Sequence, residues 1–102
     1  MLTALAARAL HGYGLIQEVT ALSGGRVVLG AGTLYGALDR LAEQGLIAVD
    51  REEAVDGRLR RYYRLTDAGA GRLAEEVERL RKNATLAASR LRVRGAAAAG
   101  AA

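Results

Sequence analysis

The chain has 102 residues, 51% apolar and 25% charged, which suits one compact domain with at most a tail. It holds no cysteine, which excludes a disulfide framework and a thiolate metal site, and no apolar run approaches the roughly 20 residues of a membrane span. The net charge is +4 and Lys82 is the only lysine, an arginine bias that suits phosphate and guanine recognition and equally fits a genome whose base composition favours Ala, Gly and Arg.

In chain order, Leu2, Leu5, Ala6 and Ala9 fall at i, i+3, i+4 and i+7 and predict a short first helix, broken at His11-Gly12. Leu15, Ile16, Val19 and Leu22 repeat the helical spacing, and Ser23-Gly24-Gly25 supplies a left-handed stop. Arg26-Val27-Val28-Leu29 reads as a short strand or extended linker. A third helix opens at Gly30-Ala31-Gly32-Thr33, carries the stripe Leu34, Ala37, Leu38 and Leu41, and ends at Gly45, after which Leu46 and Ile47 return to the core. This is the layout of a helix-turn-helix. The period then changes to alternation: Ile47 and Val49 alternate with Ala48 and Asp50, and Asp56-Gly57 marks a hairpin turn. Leu59, Tyr63 and Leu65 share one face of the return strand, and Arg58, Arg60, Tyr62 and Arg64 share the other. Arg61 falls on the apolar face by parity, so it is expected near the exposed tip or at a bend. A hairpin at this place makes the helix-turn-helix winged.

Thr66-Asp67 caps a fourth helix, the hydroxyl bonding free backbone amides. Along it Leu73, Val77, Leu80, Ala84, Ala87 and Leu91 recur at alternating spacings of four and three, the period of a coiled-coil seam. From Thr66 to Arg92 the helix would span roughly 40 Å, too long to bury its stripe on so small a head, so the expected partner is a second copy. Ala84 and Ala87 bury little area, so the far half of the seam is expected to be weak or closely approached. The Ala- and Gly-rich end is of low complexity and expected to be disordered. The expected fold is therefore mainly α with a small β-hairpin: a winged helix-turn-helix over residues 1–65, a dimerisation helix over 66–92 and a disordered tail over 93–102.

The chemistry concentrates in the third helix, about residues 31–44, and the wing, about 46–65. The apolar stripe turns Thr33, Tyr35, Gly36, Asp39, Arg40 and Glu43 outward. Tyr35 could lie on sugar and methyl groups while its hydroxyl donates to a phosphate, or pack against the wing or helix 2. Gly30 and Gly32 clear the helix start, where free amides favour a phosphate oxygen. Gly36 would let a groove or another helix approach. Arg40 is the candidate for a base edge or phosphate, its alternative being an ion pair with Glu43 or Asp39. In the wing, Arg58, Arg60, Arg61 and Arg64 lie within seven residues without an acid, suited to phosphates or the minor groove, or to guarding an edge strand. The acids Asp50, Glu52, Glu53 and Asp56 face them from the other strand and the turn. The DNA-contacting set is therefore Gly32, Thr33, Tyr35, Gly36, Arg40, Arg58, Arg60 and Arg61. His11 is the only histidine, so a turn residue bonding the backbone is expected rather than a metal ligand. Ser23 and Ser89 sit in a stop signal and the long helix, and no catalytic set or cofactor motif is legible.

With these residues in place the chain resembles the PadR family of bacterial transcriptional regulators. The resemblance runs through His11-Gly12-Tyr13, Ser23-Gly24-Gly25, Gly30 to Leu38, Leu41 to Ile47, Asp56-Gly57-Arg58 and Arg61 to Gly69, over about residues 2–80. The family commonly has proline where Ala31 stands, which costs rigidity at the helix start without changing the fold. The resemblance implies dimerisation through the C-terminal helix with help from the first, a third helix in the major groove, a wing on the adjacent backbone, and repression, in some members relieved by small molecules. Some members sandwich flat drugs between tryptophans, a residue this chain lacks. The expected partners are double-stranded DNA, a second copy and an effector of unknown identity, in the cytoplasm and with no membrane. The alternative is a winged-helix protein-interaction module without DNA affinity, because eight arginines against seven acids leave residues 1–65 at only +1.

Overall fold

The computed structural model describes residues 1–101. Four helices and three strands follow in the order α1 (Leu2–Leu5), β1 (Leu10–His11), α2 (Gly12–Leu22), α3 (Ala31–Glu43), β2 (Ile47–Val55), β3 (Arg58–Leu65) and α4 (Asp67–Ala101). The sheet is antiparallel in the order β1-β3-β2. Two local features differ from the sequence expectation at the start. Helix α1 stops at Leu5, with Ala6 exposed and Ala9 half-buried, because Ala4 and Leu5 already supply the buried side of that short turn. Leu10 and His11 then form a third strand, pairing with Tyr63 and Tyr62.

The two glycine stops act as expected. After α2, Gly24 and Gly25 take φ of 64° and 83°; the Gly25 amide donates to the Thr20 carbonyl at 2.8 Å and the Gly24 amide to Ala21 at 3.1 Å. After α3, Gly45 takes φ of 74°, its amide donates to Ala42 at 3.0 Å, and the Leu46 amide donates to Leu41 at 3.0 Å. Both are paired closures that satisfy the last helical carbonyls with a left-handed residue. Residues 26–30 form an irregular linker rather than a strand: the Arg26 amide turns back to the Ser23 carbonyl, and the Val27 amide donates to the Ser23 hydroxyl at 3.0 Å instead of to a neighbouring strand.

The core gathers one or two side chains from each element of the head: Leu5, Leu10, Leu15, Leu34, Leu38, Ile47 and Tyr63. Leu15, Leu34 and Leu38 are fully buried, which fixes the faces that α2 and α3 turn inward and therefore those they turn outward. Asp56 and Gly57 close the hairpin with positive φ of 51° and 77°, as a two-residue turn with both centres left-handed requires. A bulge between Val49 and Arg51 shifts the pairing, so Arg61 faces Glu52 and Leu59 faces Ala54 at the outer end of the ribbon. The face shared by Leu59, Arg61, Tyr63 and Leu65 thus loses its apolar cover outward: Tyr63 is 8% exposed and Leu59 75%.

Thr66 joins head to α4. Its hydroxyl accepts from the Gly69 amide at 3.0 Å and donates to the Gly45 carbonyl at 2.6 Å, while its own amide donates to the Leu46 carbonyl at 3.1 Å. The helix cap is therefore also a clamp on the turn that ends α3. Beyond this junction α4 leaves the head, and the molecule measures 71 × 27 × 21 Å. The expected disordered tail over 93–102 is corrected as far as Ala101: α4 continues through Gly95 and Gly100, the intervening four alanines being the strongest helix formers. Ala102 lies outside the described residues. Among the described residues no helix is long and apolar enough to cross a membrane.

Candidate nucleic-acid interface

The outward face of α3 and the wing flank one cleft of about 820 Å³. Tyr35 enters it from α3, Arg58, Arg60 and Arg61 from the wing, and Tyr13 from the first turn of α2. Gly32, Thr33, Gly36 and Arg40 lie outside its lining and continue the surface along α3. The candidate set is thus one surface with a cleft at one side.

The start of α3 is bare. Gly30 caps it in extended conformation without a side-chain bond, and the first helical bond runs from the Leu34 amide to the Gly30 carbonyl. Among the described residues the amides of Ala31, Gly32 and Thr33 have no protein acceptor, and no Cβ neighbour crowds Gly30 or Gly32. Such a helix start carries partial positive charge toward solvent. Arg40 is exposed and, among the described residues, pairs with neither Asp39 nor Glu43; its Nη1 would lie 3.6 Å from a Cβ at position 36. Gly36 is half-buried, and a Cβ there would make only ordinary contact with the Arg40 guanidinium.

Tyr35 packs against α2 and also reaches solvent. Its hydroxyl end rests beside Gly12 of α2, yet the residue stays 52% exposed. The wing arginines divide. Arg61 donates to Glu52 at 3.2 Å, whereas Arg58, Arg60 and Arg64 form no ion pair among the described residues. Arg51 is the other engaged cation: it bonds Glu53 at 2.7 Å and Asp50 at 2.9 Å, and its guanidinium lies 3.9 Å from the centre of the Tyr62 ring. The hydrogen bond from Arg51 holds the Glu53 carboxyl below the usual carboxylate range. Tyr62 in turn faces the His11 ring at 5.3 Å. The acids Asp39, Glu52 and Asp56 also line the cleft, so its field is mixed.

His11 is a backbone-bonding turn residue, as expected: its Nδ1 accepts the Gly14 amide at 2.8 Å and caps α2. Sequence reasoning passes over Tyr13, which is 67% exposed on the cleft. A signal exists, because Tyr13 stands off the stripe Leu15, Ile16, Val19 and Leu22, but only the third dimension brings it to the cleft that Tyr35 also lines. Among the described residues no group of three or more His, Cys, Asp or Glu side chains could hold a metal ion. On α4 the expected seam is uncovered, with Leu73 half-buried, Val77 37% exposed, Leu80 55% and Leu91 65%. Ala84 and Ala87 are exposed between them.

A family model described as the transcriptional regulator PadR-like family matches residues 1–75. Over 67 residues, 66% of this chain, the sequence is 46% identical to a transcriptional regulator of Mycobacterium tuberculosis, covering 59% of that relative. The chain therefore spans less than two thirds of the length of the curated relatives it matches. A PadR-like transcription factor from Bacteroides fragilis superposes with a TM-score of 0.68 at 30% identity, over 83% of this chain and 81% of that one. A Bacillus subtilis PadR solved in complex with operator DNA superposes with a TM-score of 0.66 at 23% identity, over 74% of this chain and 44% of that one, a likeness of fold.

Proposed function

Since the chain belongs to the PadR-like family of transcriptional regulators, we propose that it is a dimeric, sequence-specific repressor that lays α3 in the major groove of double-stranded DNA and the β2–β3 wing on the adjacent backbone or minor groove. The observation that carries this reading is a set of exposed cations with no ion pair among the described residues, Arg40 on α3 and Arg58 and Arg60 on the wing, together with the exposed Tyr35. Arginines without a protein partner keep their donors free for phosphates and guanine edges. The bare start of α3 adds amides toward the same surface. A related regulator of this fold has been solved on its operator. Repression and a cytoplasmic place follow the family pattern, and dimerisation rests on the uncovered seam of α4.

The test is a titration against duplexes that the wild-type chain selects from a random pool. Tyr35→Ala and Arg40→Ala are each expected to lower affinity roughly five- to hundredfold, the range for removing one specific interaction with DNA, with the dimer intact by sedimentation. Normal binding by both variants would show the docking to be wrong.

A second measurement separates the wing arginines. Arg58→Ala and Arg60→Ala are expected to weaken binding to all sequences alike and to reduce the slope of log affinity against log salt by about 0.9 for each phosphate no longer neutralised. Arg61→Ala is expected to do less, because Glu52 already engages its guanidinium. A slope unchanged by both of the first two substitutions would count against a phosphate-binding wing. The acids in the cleft keep one competing outcome in view: no duplex selected, and a stable protein partner instead, would mark a protein-interaction module. Repeating the titration with candidate small molecules tests for an inducer.

A further inference from the structure

We infer that Gly12 is a positioning residue for Tyr35: the missing side chain at the start of α2 sets where the aromatic side chain of α3 stands on the DNA-facing surface. This rests on the DNA-binding reading above. A Cβ at position 12 would lie 2.8 Å from the Tyr35 hydroxyl oxygen and 3.3 Å from its Cζ, with Leu34 Cδ2 next at 3.5 Å. The first two distances are shorter than ordinary contact, so something must shift. Gly12 does not have a left-handed backbone, so conformation does not demand glycine there; space does.

What shifts follows from how each side is held. The corner carrying Gly12 is fixed from several directions. His11 and Leu10 pair with Tyr62 and Tyr63 of the wing strand. The His11 Nδ1 accepts the Gly14 amide, and a Cβ at position 14 would come within 2.8 Å of that nitrogen. The His11 ring faces Tyr62, over which Arg51 lies. Tyr35, by contrast, is half exposed and its tip is the movable end of a side chain. Alanine at position 12 therefore leaves the corner in place and tilts Tyr35 outward. Since alanine also favours the helix over glycine, the substitution keeps the fold and changes only the surface. The motif His11-Gly12-Tyr13-Gly14 thereby gains a role beyond ending a segment: it ties the wing to α2 and seats the recognition-helix tyrosine.

The experiment compares the unsubstituted 102-residue chain with Gly12→Ala, Tyr35→Phe and the double variant. Ring signals of ¹³C-labelled tyrosine are followed by NMR in the free protein, the Tyr35 signal being assigned by its loss in Tyr35→Phe. In Gly12→Ala the Tyr35 ring signal is expected to move while the melting temperature holds or rises. Affinity for the selected duplex is expected to fall by roughly tenfold, the size of one misdirected interaction. Because Tyr35→Phe removes the oxygen nearest to the added methyl, adding Gly12→Ala to it is expected to cost little further affinity. An unmoved Tyr35 signal overturns the inference, and so does an equal loss from Gly12→Ala in both backgrounds. A wild-type chain that selects no duplex would sink the DNA-binding reading instead, and the ring signal would still decide whether Gly12 sets Tyr35.

Discussion

Replacing Gly69 by alanine is expected to lower the melting temperature by roughly 2–30 °C at fixed protein concentration, whereas the same change at Gly71 raises it by roughly 4–8 °C. Both residues lie in the first turns of α4, so helix propensity favours alanine at each by about 1 kcal/mol. Their surroundings reverse the sign at one of them. A Cβ at position 69 would collide with the Leu46 carbonyl oxygen and would lie 3.0 Å from its carbon and 2.7 Å from Leu65 Cδ1. The Leu46 atoms are backbone and cannot swing aside as a side-chain tip can. That carbonyl also accepts the Thr66 amide, so moving it loosens the junction further. Displacing α4 opens the bond from the Gly69 amide to Thr66 and the bond from Thr66 to Gly45. Overpacking costs about 1–3 kcal/mol and loss of a cap about 0.5–2 kcal/mol, together more than the propensity gain. Nothing lies within 4 Å of a Cβ at position 71, so only the propensity gain remains there. Differential scanning calorimetry of the two variants decides the matter; a Gly69→Ala protein that melts with the wild type would mean that the helix does not dock as closely as Leu46 and Gly69 indicate.

That junction also shows where sequence reasoning reaches and where it stops. The cap at Thr66 is legible, because a threonine before an acid and a periodic segment has a local physical meaning. That the same hydroxyl holds the Gly45 carbonyl, 21 residues earlier, is not, since no local pattern encodes it. The same division runs through the molecule. The stripes of α2 and α3, the glycine stops and the Asp56-Gly57 turn depend on spacing and on positive φ, both carried by residue type. Strand β1 escapes sequence reasoning because two residues cannot show alternation, and its partner lies some fifty residues away. The bulge after Val49 inserts one residue into the parity count, which the sequence presents only as an acid in an alternating run. Low complexity in the tail points to disorder, whereas alanine propensity extends the helix. In the candidate site, the face of α3 is legible from its stripe. The seat of Tyr35 on Gly12, the pairing of Arg61 with Glu52 and the placement of Tyr13 require the packed head.

Leu80 and Leu86 offer the second large effect, because they are alike in the single chain and differ only in helical phase. Both are 55% exposed on α4. Leu80 continues the alternating four-and-three series from Leu73 and Val77 to Leu91, and Leu86, six residues on, lies about 120° round the helix from it. The helix has 35 residues and is about 52 Å long at 1.5 Å per residue, and the head partly covers only its first turns. Beyond them an apolar seam faces solvent unless a second copy covers it. Leu80→Glu would place a charge in that seam, and two such charges in a symmetric pair, with a desolvation cost of several kcal/mol. The expected outcome is a monomer at micromolar concentration by sedimentation. Losing the dimer makes the second half-site a separate binding event, so operator affinity is expected to fall by about 10²–10⁴-fold with α3 and the wing untouched. Leu86→Glu is expected to leave both the dimer and DNA binding near wild type, since its position faces outward in the same heptad count. The pair tests phase rather than hydrophobicity: a dimer that survives Leu80→Glu and is lost in Leu86→Glu would place the interface on the opposite side of α4, and one that survives both would move dimerisation off this helix.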